Sequence, residues 1–163
     1  MLEFFQTYSY LGLFIILFLE EGGIPFPVPG DLFIAAVAFM PNSNYFLILL
    51  SVIFATLFGS TFLFSISRKF GMPILLKVSG FLRIKKERIE KVEKIFKKHE
   101  KIAIILGRLT PGFRTITPMV AGTFKVSYKM FWLNTVIAAF IWANMYYLIG
   151  KFFGSLILPV LYH

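Results

Sequence analysis

Five charged side chains stand nearly alone in apolar sequence, and their types suit anion binding and proton exchange. Glu20, Glu21 and Asp31 fall within Tyr8 to Met40, which holds no basic residue, and Arg108 and Arg114 fall within Ile102 to Phe124, which holds no acidic one. A charge left unpaired at membrane depth is costly, so each set calls for partners of the other sign. Guanidinium forks also fit a phosphate in two-point contact. Two readings follow from these residues. Either the five charges lock two parts of the chain together, or Arg108 and Arg114 bind a phosphate for which the carboxylates stand in when no substrate is present. Three acids against two bases leave one negative charge in excess, and one proton taken up by Glu20, Glu21 or Asp31 would balance it. These three are therefore the expected charge partners and proton-coupling groups.

Enzyme chemistry finds little support in the same residues. Asp31 is the only aspartate, so a paired-aspartate protease site is excluded, and no H-E-x-x-H, G-x-S-x-G or P-loop pattern occurs. Without cysteine there is no thiolate nucleophile, disulfide or Cys-type zinc site. His99 is the only histidine besides the terminal His163, and its charged surroundings place it on a surface. The expectation is a protein that is not an enzyme and uses no metal or cofactor.

The elements that position the five charges follow from composition. Of 163 residues 58% are apolar and only 15% charged, more grease than a soluble domain of this size can hide. Tyr45 to Ser67 is free of formal charge over 23 residues, roughly 34 Å as a helix, and suits a hydrocarbon layer of about 30 Å. Met130 to Gly150 is a second uncharged stretch, and its Trp132, Trp142, Tyr146 and Tyr147 are rings of the kind that favour bilayer interfaces. Both are read as transmembrane helices. Glu3 in place of a positive cluster, and no A-x-A-like site after the first apolar run, argue against a secretory signal, so residues 1–163 are taken as one mature membrane domain. Phe152 to Tyr162 is too brief to cross.

Two further segments are interrupted. In residues 8–41, Glu20-Glu21-Gly22-Gly23-Ile24-Pro25-Phe26-Pro27-Val28-Pro29-Gly30-Asp31 separates two short apolar runs. In residues 102–125, Gly107-Arg108-Leu109-Thr110-Pro111-Gly112-Phe113-Arg114-Thr115-Ile116-Thr117-Pro118 does the same. Prolines at alternate positions cannot continue a helix. Each segment is expected to be a re-entrant hairpin of two half-helices around a broken tip, with Pro25, Pro27, Pro29 and Gly30 shaping one tip and Gly107, Pro111 and Gly112 the other. Such backbone at membrane depth needs protein or a wet cavity to satisfy it. Exposed interfacial loops between flat-lying helices are the alternative.

Arg68 to Lys101 holds 12 basic and 4 acidic residues, +8 of the net +9, which puts this stretch on the cytoplasmic side. The first hairpin then opens outward and the second inward, each followed by a span. This is the inverted-repeat logic of transporters whose discontinuous helices meet at the midplane. Residues 77–101 are expected to form a cytoplasmic basic amphipathic helix, with Ile89, Val92, Phe96 and Ala103 at helical spacing, lying on the inner leaflet; a solvated connector is the alternative. A basic block bracketed by membrane elements, with no aromatic stacking platform, does not point to nucleic acid.

The two tips together, with G-R-x-x-P-G-x-R-T at Gly107 to Thr115, resemble those of the DedA family of membrane proteins, also called SNARE-associated Golgi or VTT-domain proteins. The resemblance runs from about residue 8 to 154. It implies two oppositely facing re-entrant hairpins in the cell (inner) membrane and movement of a phospholipid or lipid-linked phosphate, of the undecaprenyl phosphate or phosphatidylethanolamine type, between leaflets. The family's essential arginines fall on Arg108 and Arg114, its essential aspartate on Asp31, and its essential glutamate on Glu20 or Glu21. The expected function is a lipid translocase, proton-coupled in the sense of the charge count above and assembled as a homo-oligomer. A non-transporting protein that organises lipids or partners, and a proton-coupled exporter of small solutes, are the alternatives.

Overall fold

The first interrupted segment folds as two helices, α1 (Leu2–Glu21) and α2 (Gly30–Phe39), in a computed structural model that describes residues 2–24, 29–40, 42–81, 83, 85–110 and 113–161. Side chains are described from Tyr8 to Ser155, apart from Val78 and Ser79 and the residues outside those ranges. Pro25, Pro27, Pro111 and Gly112 lie outside the described residues. Helix α2 runs back along α1: Glu20 accepts a hydrogen bond from the Gly30 N–H at one end (3.0 Å), and Tyr10 accepts one from the Asn44 N–H beyond the other (2.7 Å). A carboxylate at a free helix N-terminus is favoured by the unpaired N–H groups there.

Asn44 starts α3 (Tyr45–Phe70) by accepting from the N–H groups of Phe46 and Leu47, and Arg68 and Lys69 in the last turn followed by Gly71 (φ 65°) end it. Helices α4 (Met72–Phe81), α5 (Lys86–Lys98), α6 (Glu100–Leu109) and α7 (Ile116–Thr123) follow. The long α8 (Tyr128–Leu161) completes the chain, and among the described residues every element is helical. Among the described residues two helices are long and apolar enough to cross a membrane, α3 and the Tyr128–Ser155 part of α8.

Helices α3 and α8 lie against each other, antiparallel: Tyr45 meets Tyr147 and Asn144 at one end, while Phe64 stacks on Phe131 and Ser65 meets Tyr128 at the other. Helix α1 packs on α3 and α6 on α8; α2 packs on α8 and α7 on α3. Two separate apolar cores result. One joins Leu13, Leu17, Ile34, Val37 and Val52 to Trp142, and the other joins Phe64, Phe131, Ile104 and Met119 to the α5 residues. Glycine sets the closest approach. A Cβ at Gly59 would stand 2.6 Å from the Phe18 carbonyl oxygen and 2.7 Å from the Glu21 Cβ, so only glycine lets α3 touch the end of α1.

Several expectations need correction. Residues 77–101 are not one helix: they take in the end of α4, all of α5 and the start of α6, with a break at His99 (φ −150°, ψ 79°). Nor is the apolar face of α5 left for the leaflet, because Ile89, Val92 and Phe96 are buried against α6 and α7. The breaks are also narrower than the sequence predicts. Glu20 and Glu21 belong to the last turn of α1, Gly107 and Arg108 to the last turns of α6, and Thr117 and Pro118 to the first turn of α7, where proline loses little. Residues 152–161, too brief to cross alone, belong to α8.

Candidate charged site at the centre of the fold

Each predicted charge reaches the cluster from an element end. Glu20 and Glu21 close α1, Asp31 opens α2, Arg108 closes α6, and Arg114 sits in the turn before α7. Consecutive residues on a helix point about 100° apart, which lets Glu20 and Glu21 approach the arginines along different lines.

The structure brings all five together. Arg108 Nη2 donates to Glu21 Oε2 at 2.7 Å, with side-chain exposures of 2% and 1%. Arg114 holds three carboxylates: Nη2 lies 2.7 Å from Glu20 Oε1, Nη1 donates to Asp31 Oδ1 at 3.1 Å, and Nε stands 2.9 Å from Glu21 Oε1. The last contact is an ion pair lacking hydrogen-bond alignment. Charges this deeply placed attract far more strongly than in water, and they must be paired to be tolerated. With all five groups ionised, the cluster carries one net negative charge.

Two residues of the cluster escaped sequence reasoning. Trp142 Nε1 donates to Asp31 Oδ1 at 2.8 Å, and its ring lies beneath Arg114, 4.2 Å from ring centre to guanidinium carbon. Tyr146 donates to the other Asp31 oxygen at 3.1 Å. Trp142 is only 4% exposed, so the interface anchoring expected of it fails; its amphipathic ring serves a carboxylate instead of a head-group region. Spacing held a usable signal, since Trp142 and Tyr146 lie one helical turn apart on α8. Trp132 bonds Thr61, and Tyr147 meets the Tyr45 ring.

The cluster borders a cavity of about 400 Å³ whose wall includes Glu20, Asp31, Arg108, Arg114, Trp142 and Tyr146. Of the described tip residues, Pro29 lines this cavity, Gly30 caps onto Glu20, and Gly107 lies where a Cβ would collide with the Thr117 hydroxyl. Among the described residues no group of three histidine, cysteine or carboxylate side chains is placed to hold a metal. The site's equipment is two guanidiniums, three carboxylates and two aromatic donors, which suits exchange of one anion for another.

The VTT domain matches residues 28–152. The chain belongs to the VTT-domain family. Its relatives include Protein DedA of Escherichia coli (strain K12), 31% identical over 158 residues that cover 93% of this chain and 72% of that protein. Membrane protein YbfM of Bacillus subtilis (strain 168) is 31% identical over 155 residues, covering 93% of this chain and 94% of that protein. No solved structure matches the chain. As a member of the VTT-domain family with two helices long and apolar enough to span, the protein resides in a membrane.

Proposed function

We propose that this protein is a lipid translocase whose central groove admits the phosphate head group of a phospholipid or lipid-linked phosphate, of the undecaprenyl phosphate or phosphatidylethanolamine type, while the chains stay in the bilayer. One observation carries the reading: a five-charge cluster with two arginines borders a cavity at the middle of both candidate spans. Glu21 packs on Gly59, the fifteenth residue of α3, and Asp31 is held by Trp142, the fifteenth residue of the apolar stretch Tyr128–Ser155. Charge so placed is characteristic of substrate and proton paths.

In this reading α1–α2 and α6–α7 are re-entrant hairpins of opposite orientation, each followed by a span. Support comes from how the helices exchange partners: α1 on α3 corresponds to α6 on α8, and α2 on α8 corresponds to α7 on α3. The basic α5 faces the cytoplasm of a cell whose inner membrane holds the protein. When the site is empty the carboxylates pair with the arginines; a phosphate that enters brings a further negative charge, and a proton on one of the carboxylates balances it. No bond of the lipid is made or broken, so the protein is not an enzyme. A homo-oligomer would complete the wall of the groove on its lipid-facing side.

Reconstitution into vesicles with labelled lipids tests this. The expected result is leaflet exchange that is lost in Arg108→Ala and in Arg114→Ala. Proton flux without lipid exchange would instead identify a small-solute exporter, and neither activity would leave a lipid-organising protein.

A further inference from the structure

The two arginines differ in how completely the chain satisfies them. Every nitrogen of Arg114 faces a carboxylate, from Glu20, Glu21 and Asp31 in turn, and the Trp142 ring closes one face of its guanidinium. Arg108 makes one anionic contact, through Nη2 to Glu21, and its Nη1 is buried with no hydrogen-bond partner, although the side chain lines the central cavity. A buried guanidinium N–H without an acceptor is costly and is uncommon in native folds. The cost is explained if an acceptor from outside the chain completes the group.

We propose that Arg108 alone receives the anionic group of the ligand, as a singly charged phosphate accepting from Nη1, while Arg114 is a positioning residue that ties α1 and α2 to the turn before α7. This rests on the reading that the site takes an anion and assigns that role within it. Glu21 occupies Nη2 and leaves Nη1 without an acceptor, so the contact needs a shift that opens the buried Nη1 to the cavity but not the loss of a carboxylate. The charge follows from the surroundings. Glu20 and Asp31 share the cavity wall, so a phosphodiester with one negative charge meets less repulsion than a monoester carrying two.

The test uses the full chain in detergent with ¹⁵N-labelled arginine and dihexyl phosphate, a soluble phosphodiester, as the probe. Dihexyl phosphate should bind saturably and shift the Arg108 guanidinium resonance, leaving Arg114 nearly unmoved. In Arg108→Lys one ammonium still reaches Glu21 but nothing replaces Nη1, so affinity should fall at least tenfold. In Arg114→Lys Tm should fall, and dihexyl phosphate should still shift the Arg108 resonance whatever affinity remains. The resonances of the unaltered protein decide the matter should Arg114→Lys fail to fold. A shift at Arg114 equal to or larger than that at Arg108, or full affinity in Arg108→Lys, overturns the assignment and leaves the anion site standing. No saturable binding to the unaltered protein overturns both.

Discussion

Helix α5 and the central cluster are both rich in charge, and they are built in opposite ways. From Lys86 to Lys98 nine of 13 residues are ionic and most of these are exposed, yet among the described residues the salt bridges all lie in the central cluster. Water screens the charges of α5 so well that pairing them gains little. The cluster is largely shielded from bulk water, and there five charges make four ion pairs and draw in Trp142 and Tyr146 as well. Helix α5 is held instead by Ile89, Val92 and Phe96. The number of charges in a segment therefore says little about their structural weight; the surrounding medium decides it.

That contrast can be broken from either side. The largest effect is expected for Glu21→Leu, which strips Arg108 of its anion and Arg114 of one of three. Thermal unfolding in detergent should show a loss of about 3–5 kcal/mol. Adding Arg108→Leu should recover part of it, since an apolar pair replaces an uncompensated charge; a double variant worse than the single one would count against burial as the cause. Phe96→Ala should cost about 3 kcal/mol by opening a cavity beneath α5, read by the same unfolding experiment. Trp142→Phe keeps a ring under Arg114 but loses the N–H to Asp31, and about 2 kcal/mol should go with it. Least of all, the triple change Lys91→Gln, Lys94→Gln and Lys97→Gln should move stability by less than about 0.5 kcal/mol per site, with the Tm nearly independent of salt.

The charged residues of the cluster were legible because each stands in apolar sequence, where an ion needs a strong reason to persist. The spans were legible for a related reason: uncharged runs of sufficient length, as in Tyr45 to Ser67, have few other uses. Helix ends were harder. Proline and glycine mark Pro25 to Gly30, but nothing local shows that α1 carries Glu20 and Glu21 in its last turn, where the Glu20 carboxylate reaches the first N–H of α2. The break at His99 has neither glycine nor proline to announce it and arises where α5 and α6 must face different neighbours. Trp142 and Tyr146 were misplaced because an amphipathic ring suits a membrane interface and a buried carboxylate equally; only the packing of α2 on α8 chooses between them.

Asp31 is the sole aspartate in the chain, which makes it an unambiguous reporter of whether the two halves meet. Solid-state NMR on the protein in lipid bilayers, with ¹³C at the aspartate side-chain carboxyl and ¹⁵N in arginine, measures that contact directly. Rapid dipolar dephasing of the Asp31 carboxyl signal, abolished by Arg114→Lys without the ¹⁵N guanidinium, is the predicted result. A carboxyl signal that does not dephase would place the oppositely charged groups apart in the membrane and contradict the account at its root.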